Sequence, residues 1–233
     1  MIVGLKKNKK IFHKKTGLFV DWSQLNKLPD IDTFIDIGFG PMGTPDLLKK
    51  FDKKNIELIL IDPLKESESF ARQSLKKERF TFYRCAIGSC DGLLKLNVEK
   101  KLGRSTLLRV TNINFEDKNI DNRKVNVFTL DSIMRQHAKK TIKKKLNSQG
   151  NQKIGIKIDT EGYELEVIKG AKKTLKKTKF VLLEARHNHI TFHNQYKLSQ
   201  LMKLMSDNGF FLEMIITAKP FIADLCFIRL EKI

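Results

Sequence analysis

The sequence predicts an α/β domain in which a mostly parallel, seven-stranded sheet carries helices on both faces and ends in an antiparallel hairpin. From Thr33 onward, short apolar strand-like segments alternate with helix-like segments. Repeated strand–helix–strand units favour parallel pairing with helices on both sides of the sheet. The last two strand-like segments, 210–217 and 222–230, are joined by a short loop around Lys219-Pro220, so they must run antiparallel to each other.

The first half of the domain begins with the strand TFIDI at residues 33–37. Thr44-Pro45-Asp46 then marks a helix start, because a hydroxyl cap, an early proline and an acid all suit a helix N-terminus. We expect this helix to bury Leu47, Leu48 and Phe51. Further strands are expected at 57–61, 79–87, 93–98 and 125–130, and further helices at 66–77 and from Asp131-Ser132 to before Gly150.

The second half contains the clearest strand–helix unit. KIGIKI at 153–158 predicts a strand, and 161–177 predicts a helix that places Leu165, Ile168, Ala171 and Leu175 on one face. A strand at 180–183 and a helix at 196–208, closed by Gly209, precede the final hairpin.

Length and charge set the broad class. A chain of 233 residues suits one α/β domain, which we expect at 33–233 after a basic tail and lead-in at 1–32 that packs Trp22 on the domain. The formal net charge is +19, much of it in lysine runs such as 143–145, and such a surface attracts polyanions. Aromatic residues do not interleave with the lysines as single-strand binding requires, so a solvated lysine coat is favoured over a nucleic-acid partner.

Cysteine spacing and hydropathy indicate the cellular compartment. Cys85, Cys90 and Cys226 form no CxxC pair, which argues against a disulfide framework and a cysteine zinc site. The first residues do not follow the order of a secretory signal, and the apolar stretches are far too short for a membrane span. We therefore expect a cytoplasmic protein.

A glycine loop joins the first strand to the first helix. Asp36 precedes Gly38, Gly40 and Gly43, whose spacing lets the backbone turn tightly and approach a ligand. The pattern GxGxxG also suits NAD, and Asp62 at the end of the second strand could hold the ribose of either cofactor. A carboxylate before the first glycine suits a cationic ligand better than a pyrophosphate, which favours S-adenosylmethionine.

An acidic segment follows the strand at 153–158. In open α/β sheets, ligands bind outside the carboxyl ends of the strands, so Asp159 and Glu161 are delivered to the edge of the cleft. The next strand ends in Glu184 and His187, which places another acid and a histidine at the same edge.

Several segments together resemble a known family. IGIKIDTEGYELEVIKGA at 154–171 resembles the signature of the FkbM family of methyltransferases. The resemblance continues, from Ile31 to Ile228, through FIDIGFGPMGTPDLL, LILIDPL, CAIGSCDGLLKL, GRSTLLRV, VFTLDSI and FVLLEARH. It implies the Rossmann-like class I methyltransferase fold, S-adenosylmethionine as the methyl donor, and O-methylation, often of sugar hydroxyls.

The resemblance also implies roles for individual residues. The methionine part of the cofactor would be held by Asp36, Gly38, Gly40, Gly43 and Thr44. Asp62, with Pro63 beside it, would hold the ribose, and Ala86 and Ile87 would flank the adenine. Asp159 and Glu161 would face the methyl group and the acceptor.

A hydroxyl acceptor needs a base to remove its proton. The candidates, in order of preference, are Asp159, Glu161, His187 and Glu184. A divalent cation between Asp159 and Glu161 is a less favoured alternative, and a three-histidine metal site at His187, His189 and His193 is less favoured still.

Three rival functions remain open at this point. The positive charge suggests an RNA or protein methyltransferase, although the Asn-Pro-Pro-aromatic motif of amino-methylating nucleic-acid enzymes is missing. The glycine loop also fits an NAD-dependent oxidoreductase, and a basic binding protein on a decayed fold is the third rival. We expect a small-molecule or glycan acceptor, whose identity the sequence does not specify.

Overall fold

The computed structural model describes thirteen strands and five helices. It covers residues 11–12, 19–20, 25, 28–43, 47–48, 51, 56–75, 80–99, 104–109, 120–142, 152–187 and 192–230. The strands are β1 (Ile11–Phe12), β2 (Phe19–Val20), β3 (Thr33–Ile37), β4 (Glu57–Ile61), β5 (Phe80–Tyr83), β6 (Ala86–Ile87), β7 (Gly92–Glu99), β8 (Ser105–Thr106), β9 (Ile120–Phe128), β10 (Ile154–Ile158), β11 (Thr178–Arg186), β12 (Phe210–Ala218) and β13 (Ile222–Arg229). The helices are α1 (Lys65–Ser74), α2 (Leu130–Ile142), α3 (Glu164–Lys169), α4 (Lys172–Leu175) and α5 (Leu198–Asp207).

Seven strands form the central sheet in the order β12-β13-β11-β10-β3-β4-β5. The five strands from β11 to β5 run parallel, and β13 lies antiparallel to both β11 and β12. Lys219 donates its backbone N–H to the carbonyl of Ile222 and closes the final hairpin. The predicted seven-stranded sheet with its antiparallel end is confirmed.

The two faces of this sheet carry separate apolar cores. Isoleucines and leucines at alternate positions of β3, β4, β10 and β11 pack with α3, α4 and α5 on one face. The intervening positions pack on the other face against α1 and the helical residues Leu47 and Leu48, which are buried as expected. Strand pleating explains the division, because successive side chains point to opposite sides of a sheet.

A second, four-stranded sheet has the order β6-β9-β7-β8. The strand expected at 79–87 is therefore wrong as a single element, because β5 belongs to the central sheet and β6 to the smaller one. Between them the chain turns sharply, with the backbone N–H of Cys85 donating to the carbonyl of Tyr83. The smaller sheet packs through Leu96 and Val98 of β7 against Leu64, which precedes α1.

The long helix expected at 161–177 is divided into α3 and α4, and Asp131 accounts for the break. Its backbone N–H donates to the carbonyl of Gly170, and its carboxylate accepts hydrogen bonds from the backbone of Lys173 and Thr174. Asp131 therefore caps α4 from outside. For α2, the sequence predicted a cap at Asp131-Ser132. Thr129 supplies the cap instead, because its hydroxyl accepts a hydrogen bond from the backbone N–H of Ser132.

The lead-in contains the antiparallel pair β1 and β2 and a buried Leu25, which packs in the same core as Phe34. Trp22 and the helix start at Thr44 lie outside the described residues. None of the helices that the structure describes is both long and apolar enough to span a membrane.

The three cysteines should differ sharply in reactivity. Burial raises the pKa of Cys85 and Cys226 to about 12, whereas the Cys90 thiol is exposed. Because the thiolate is the reactive form, we predict that a disulfide reagent at pH 8 labels one thiol rapidly in the native protein and all three after unfolding in guanidinium chloride. Rapid labelling that persists in Cys90→Ser would contradict this burial.

Candidate active site

A cavity of about 200 Å³ lies at the carboxyl ends of β3, β4 and β10. Seven of the nine residues predicted to bind the cofactor line it: Gly38, Gly40, Gly43, Asp62, Pro63, Ala86 and Ile87. Asp36 lies fully buried behind the wall, and Thr44 falls outside the described residues. Asp159 and Glu161 also line the cavity, so the predicted acceptor end adjoins the predicted cofactor end.

The Asp62 carboxylate anchors the glycine loop to the second strand end. Its Oδ2 accepts a hydrogen bond of 2.9 Å from the backbone of Gly40, and its Oδ1 accepts one of 2.8 Å from Leu64. Burial raises the pKa of Asp62 despite these bonds, because the charged form has lost most of its water. Each carboxylate oxygen can accept a second bond, so Asp62 can hold the loop and a ligand hydroxyl together.

Gly38 is the point where the glycine loop touches the acidic segment. Its φ is +80°, and a Cβ at this position would lie 1.7 Å from the carbonyl oxygen of Asp159. The backbone N–H of Asp159 donates in turn to the carbonyl of Ile37. Only a glycine permits this approach, which brings the two walls of the cavity together.

The turn after β10 is held by a buried carboxylate that was not among the predicted site residues. Glu164 is fully buried, and its Oε1 accepts bonds of 3.0 Å from the backbone of both Thr160 and Gly162. Glu161 has φ +52°, a conformation that non-glycine residues rarely adopt and that clusters at functional sites. The turn therefore holds Glu161 in a defined orientation at the cavity wall.

The smaller sheet supplies the remaining wall. The Thr106 hydroxyl donates a 2.8 Å bond to the carbonyl of Glu161, and Arg104 and Ser105 line the cavity beside it. These residues belong to the segment GRSTLLRV, but their position over the cavity was not predicted. The contact between Thr106 and Glu161 joins residues fifty-five positions apart, and a local sequence pattern does not predict such a contact.

Four ionisable residues share one face of the central sheet near its carboxyl edge. Asp36, Lys157, Glu184 and Asp224 each lie between two aliphatic residues that point to the opposite face. Lys157 pairs in register with Asp36, and Glu184 pairs with Asp224. A row of ionisable side chains thus crosses β3, β10, β11 and β13 near the carboxyl edge of the sheet, and Lys157 and Asp224 were not predicted as site residues.

Lys157 is the central cation of this row. Its ammonium nitrogen lies 3.1 Å from Asp159 Oδ2 and 3.5 Å from Asp36 Oδ1. Burial alone would lower the pKa of Lys157, but the two carboxylates raise it, so the residue stays charged.

Asp159 and Glu184 form a carboxyl pair whose pKa values shift in opposite directions. Burial would raise the pKa of Asp159, but the Lys157 charge and a hydrogen bond with Glu184 lower it. Burial and the neighbouring Asp159 charge raise the pKa of Glu184 well above its ordinary value. Of the two, Asp159 therefore gives up its proton more readily, and Glu184 is the member of the pair that retains a proton to higher pH.

Glu161 faces a different cation. Arg186 is buried, forms an ion pair with Glu161 and packs over the ring of Phe192 at 5.0 Å. Burial and the Asp159 charge raise the pKa of Glu161, while Arg186 and Arg104 oppose that shift. Arg186 lies within the predicted segment FVLLEARH, but it was not named as a site residue.

Asp159, Glu161 and Glu184 also offer one oxygen each within 4.8 Å of the others. This spacing could accommodate a divalent cation, although Lys157 and Arg186 already balance part of the negative charge. Of the three acids, Asp159 and Glu161 line the cavity.

His187 is directed elsewhere. Its Nε2 lies 3.0 Å from the carbonyl oxygen of Lys219 in the final hairpin, which makes that nitrogen a hydrogen-bond donor. Neither His187 nor Glu184 is among the described residues that line the cavity. His189 lies outside the described residues, so the three-histidine grouping has no described geometry.

The strand order, the glycine loop and the acid after the second strand together define the Rossmann-like class I methyltransferase fold. Residues 42–212 match the family model of the methyltransferase FkbM domain. The chain therefore belongs to the FkbM family and is an S-adenosylmethionine-dependent methyltransferase. The NAD-dependent oxidoreductase alternative is thereby rejected.

Solved structures with a related chain path are distant in sequence. An Aquifex aeolicus S-adenosylmethionine-dependent methyltransferase is 11% identical, with a TM-score of 0.45 over 91% of this chain and 90% of that one. Magnesium protoporphyrin IX methyltransferase from Synechocystis, solved with S-adenosylmethionine bound, is 12% identical, with a TM-score of 0.43 over 90% of this chain and 76% of that one. No curated protein matches the sequence. The family assignment therefore rests on the family model.

Gly38 and Gly40 provide a matched test of the contact between the loop and the acidic turn. Both have positive φ, but no described atom lies within 4 Å of a Cβ at Gly40. Alanine at either site should cost about 1–2 kcal/mol in backbone strain. Gly38→Ala should lose further stability and weaken S-adenosylmethionine binding, measured by urea unfolding and calorimetry. Equal losses in the two variants would show that the close approach is unimportant.

Proposed function

We propose that the domain at 33–233 transfers the methyl group of S-adenosylmethionine to a hydroxyl oxygen of a sugar or glycan-related small molecule. The single observation that carries this proposal is the Asp159 carboxyl group, held by Lys157 at the cavity wall where the glycine loop meets the acidic turn. A hydroxyl is a weak nucleophile, and a carboxylate in this position can accept its proton.

The residues around the cavity fit the cofactor. We assign the methionine part to the glycine loop, with Asp36 buried beneath it, and the ribose hydroxyls to Asp62. Ala86 and Ile87 supply an apolar wall for the adenine. With the cofactor held in this way, its methyl group would face Asp159 and Glu161.

The proposed reaction is a single displacement. The acceptor oxygen attacks the methyl carbon, the carbon–sulfur bond breaks, and the acceptor proton passes to Asp159. The products are a methyl ether and neutral S-adenosylhomocysteine. Glu161, fixed by Arg186, would orient the acceptor, and Glu184 would share its proton with Asp159. Alignment of the reacting atoms would supply much of the rate.

Charge at the acceptor end favours a neutral acceptor. Asp159 and Glu161 line this end, and the phosphates of a nucleic acid have no hydrogen to donate to these carboxyl oxygens. Sugar hydroxyls, in contrast, are good donors to carboxylates. The excess of lysines therefore does not by itself make RNA the acceptor.

Transfer can be tested with tritium-labelled S-adenosylmethionine and a panel of acceptors. The panel holds the methyl glycosides of glucose, galactose, mannose and rhamnose, together with an RNA oligonucleotide and a lysine-rich peptide. We expect label to enter a glycoside as an alkali-stable methyl ether. Label confined to RNA or peptide, or no transfer to any glycoside, would contradict the proposed acceptor class.

Asp159→Asn should separate chemistry from cofactor binding. The amide keeps the shape of the side chain but cannot take the acceptor proton, and loss of a general base typically lowers the rate by about 10²–10⁴-fold. S-adenosylmethionine affinity, measured by calorimetry, should change little.

Asp62→Ala is the matched control for that variant. Because it removes the anchor of the loop and the proposed ribose partner, it should weaken cofactor binding by about 1.5–3 kcal/mol. Asp159→Asn with near-native turnover would reject the base assignment. Loss of native activity on addition of EDTA would instead favour a cation among the three acids.

A further inference from the structure

We propose that Lys157 is a positioning residue for methyl transfer, which holds the Asp159 carboxylate in place by spanning from Asp36 beneath the glycine loop to the cavity wall. This inference rests on the proposed role of Asp159 as the base. Lys157 does not line the cavity, so it would act through Asp159 without touching the reacting groups.

The geometry supports an orienting role. Lys157 and Asp36 are in-register neighbours on parallel strands, and Asp159 follows two residues after Lys157, so all three side chains point to one side of the sheet. The Lys157 ammonium lies 3.1 Å from Asp159 Oδ2 and 3.5 Å from Asp36 Oδ1. One cation thus connects the strand that leads into the cofactor loop with the turn that carries the base.

Burial makes this connection rigid. The Lys157 side chain is 11% exposed, and that of Asp36 is fully buried. A charged group in such surroundings is stable only beside opposite charge, which restricts the ammonium to the space between the two carboxylates. The close backbone approach of Gly38 to Asp159 joins the glycine loop and the acidic turn at a second point. Asp159 therefore has a fixed partner on the side away from the acceptor.

The restraint explains how a flexible carboxylate can be ready for proton transfer. An unrestrained Asp159 could rotate towards Arg186 or towards solvent, because its side chain is 30% exposed. With Oδ2 held by Lys157, the other oxygen has a restricted set of directions. Preorganisation of this kind raises the rate without adding a contact to the substrate.

A double-mutant cycle tests the inference. The variants are Lys157→Met, Asp159→Asn and the combination, with Lys153→Met, an exposed lysine just before the same strand, as the control. Turnover is measured with labelled S-adenosylmethionine and the four methyl glycosides, and calorimetry verifies that each variant binds the cofactor. Lys157→Met should lower kcat by about 10–100-fold, a part of the factor that a general base supplies, with little change in KM for the glycoside.

In the Asp159→Asn background, Lys157→Met should change kcat by less than about twofold, the usual scatter of independent effects. Lys153→Met should retain native kcat. If removal of the buried charge prevents folding, Lys157→Arg replaces Lys157→Met in the same cycle, because it keeps the charge but displaces it. We expect this variant to fold and to lose kcat only when Asp159 is present.

The possible results separate the two claims. Native kcat in a folded Lys157 variant, or losses that multiply in the double variant, would overturn the role of Lys157 and leave the proposed function intact. Near-native turnover by Asp159→Asn would reject the base assignment, and no transfer from the native protein to any glycoside would overturn the proposed acceptor class; the role of Lys157 would fall with either.

Discussion

The alternation of side chains along parallel strands is the constraint on which the candidate site depends. On one face of the central sheet, the inward positions of β3, β10 and β11 are aliphatic from Ile35, Ile154 and Val181 onward. On the other face, apolar residues fill the beginning of the strands, and Asp36, Lys157 and Glu184 occupy positions near their carboxyl ends. The core stabilises the sheet, and the sheet in turn presents buried charges at the edge where ligands bind.

Buried charges in such a row require one another. Asp36 is fully buried and has Lys157 beside it, and Asp159 lies between Lys157 and Glu184, whose pKa the neighbouring charge raises. Loss of a single member would leave its partner uncompensated, which is a large penalty in a region of low polarity. The same interdependence restricts the position of the Asp159 carboxyl group at the cavity wall.

The sequence predicted the central sheet and most of the cavity lining because those features follow local patterns. The strands of that sheet, the glycine loop and the acidic turn lie in continuous segments with clear spacing, and seven of the nine predicted cofactor residues line the cavity. The smaller sheet was not predicted as a unit. Its strand β6 continues a β-like run from β5, and only the turn at Cys85 transfers the chain to another sheet.

Other features depended on long-range contacts. Glu164 was not predicted to have a structural role, but it is the buried acceptor that shapes the turn. Thr106 contacts Glu161 across fifty-five positions, and Arg186 was passed over beside the more conspicuous His187. The alternation of Lys157 with isoleucines was a usable signal, because a lysine within a buried parallel strand needs a carboxylate partner.

The structure of the protein with S-adenosylhomocysteine bound would test the central claim most directly. The account predicts that the ribose hydroxyls contact Asp62 and that the sulfur lies beside the turn that carries Asp159, with space for one acceptor oxygen between them. Proton transfer would then take place over an ordinary hydrogen-bond distance of about 2.6–3.2 Å. A sulfur atom directed away from Asp159, or a ribose remote from Asp62, would contradict the proposed site.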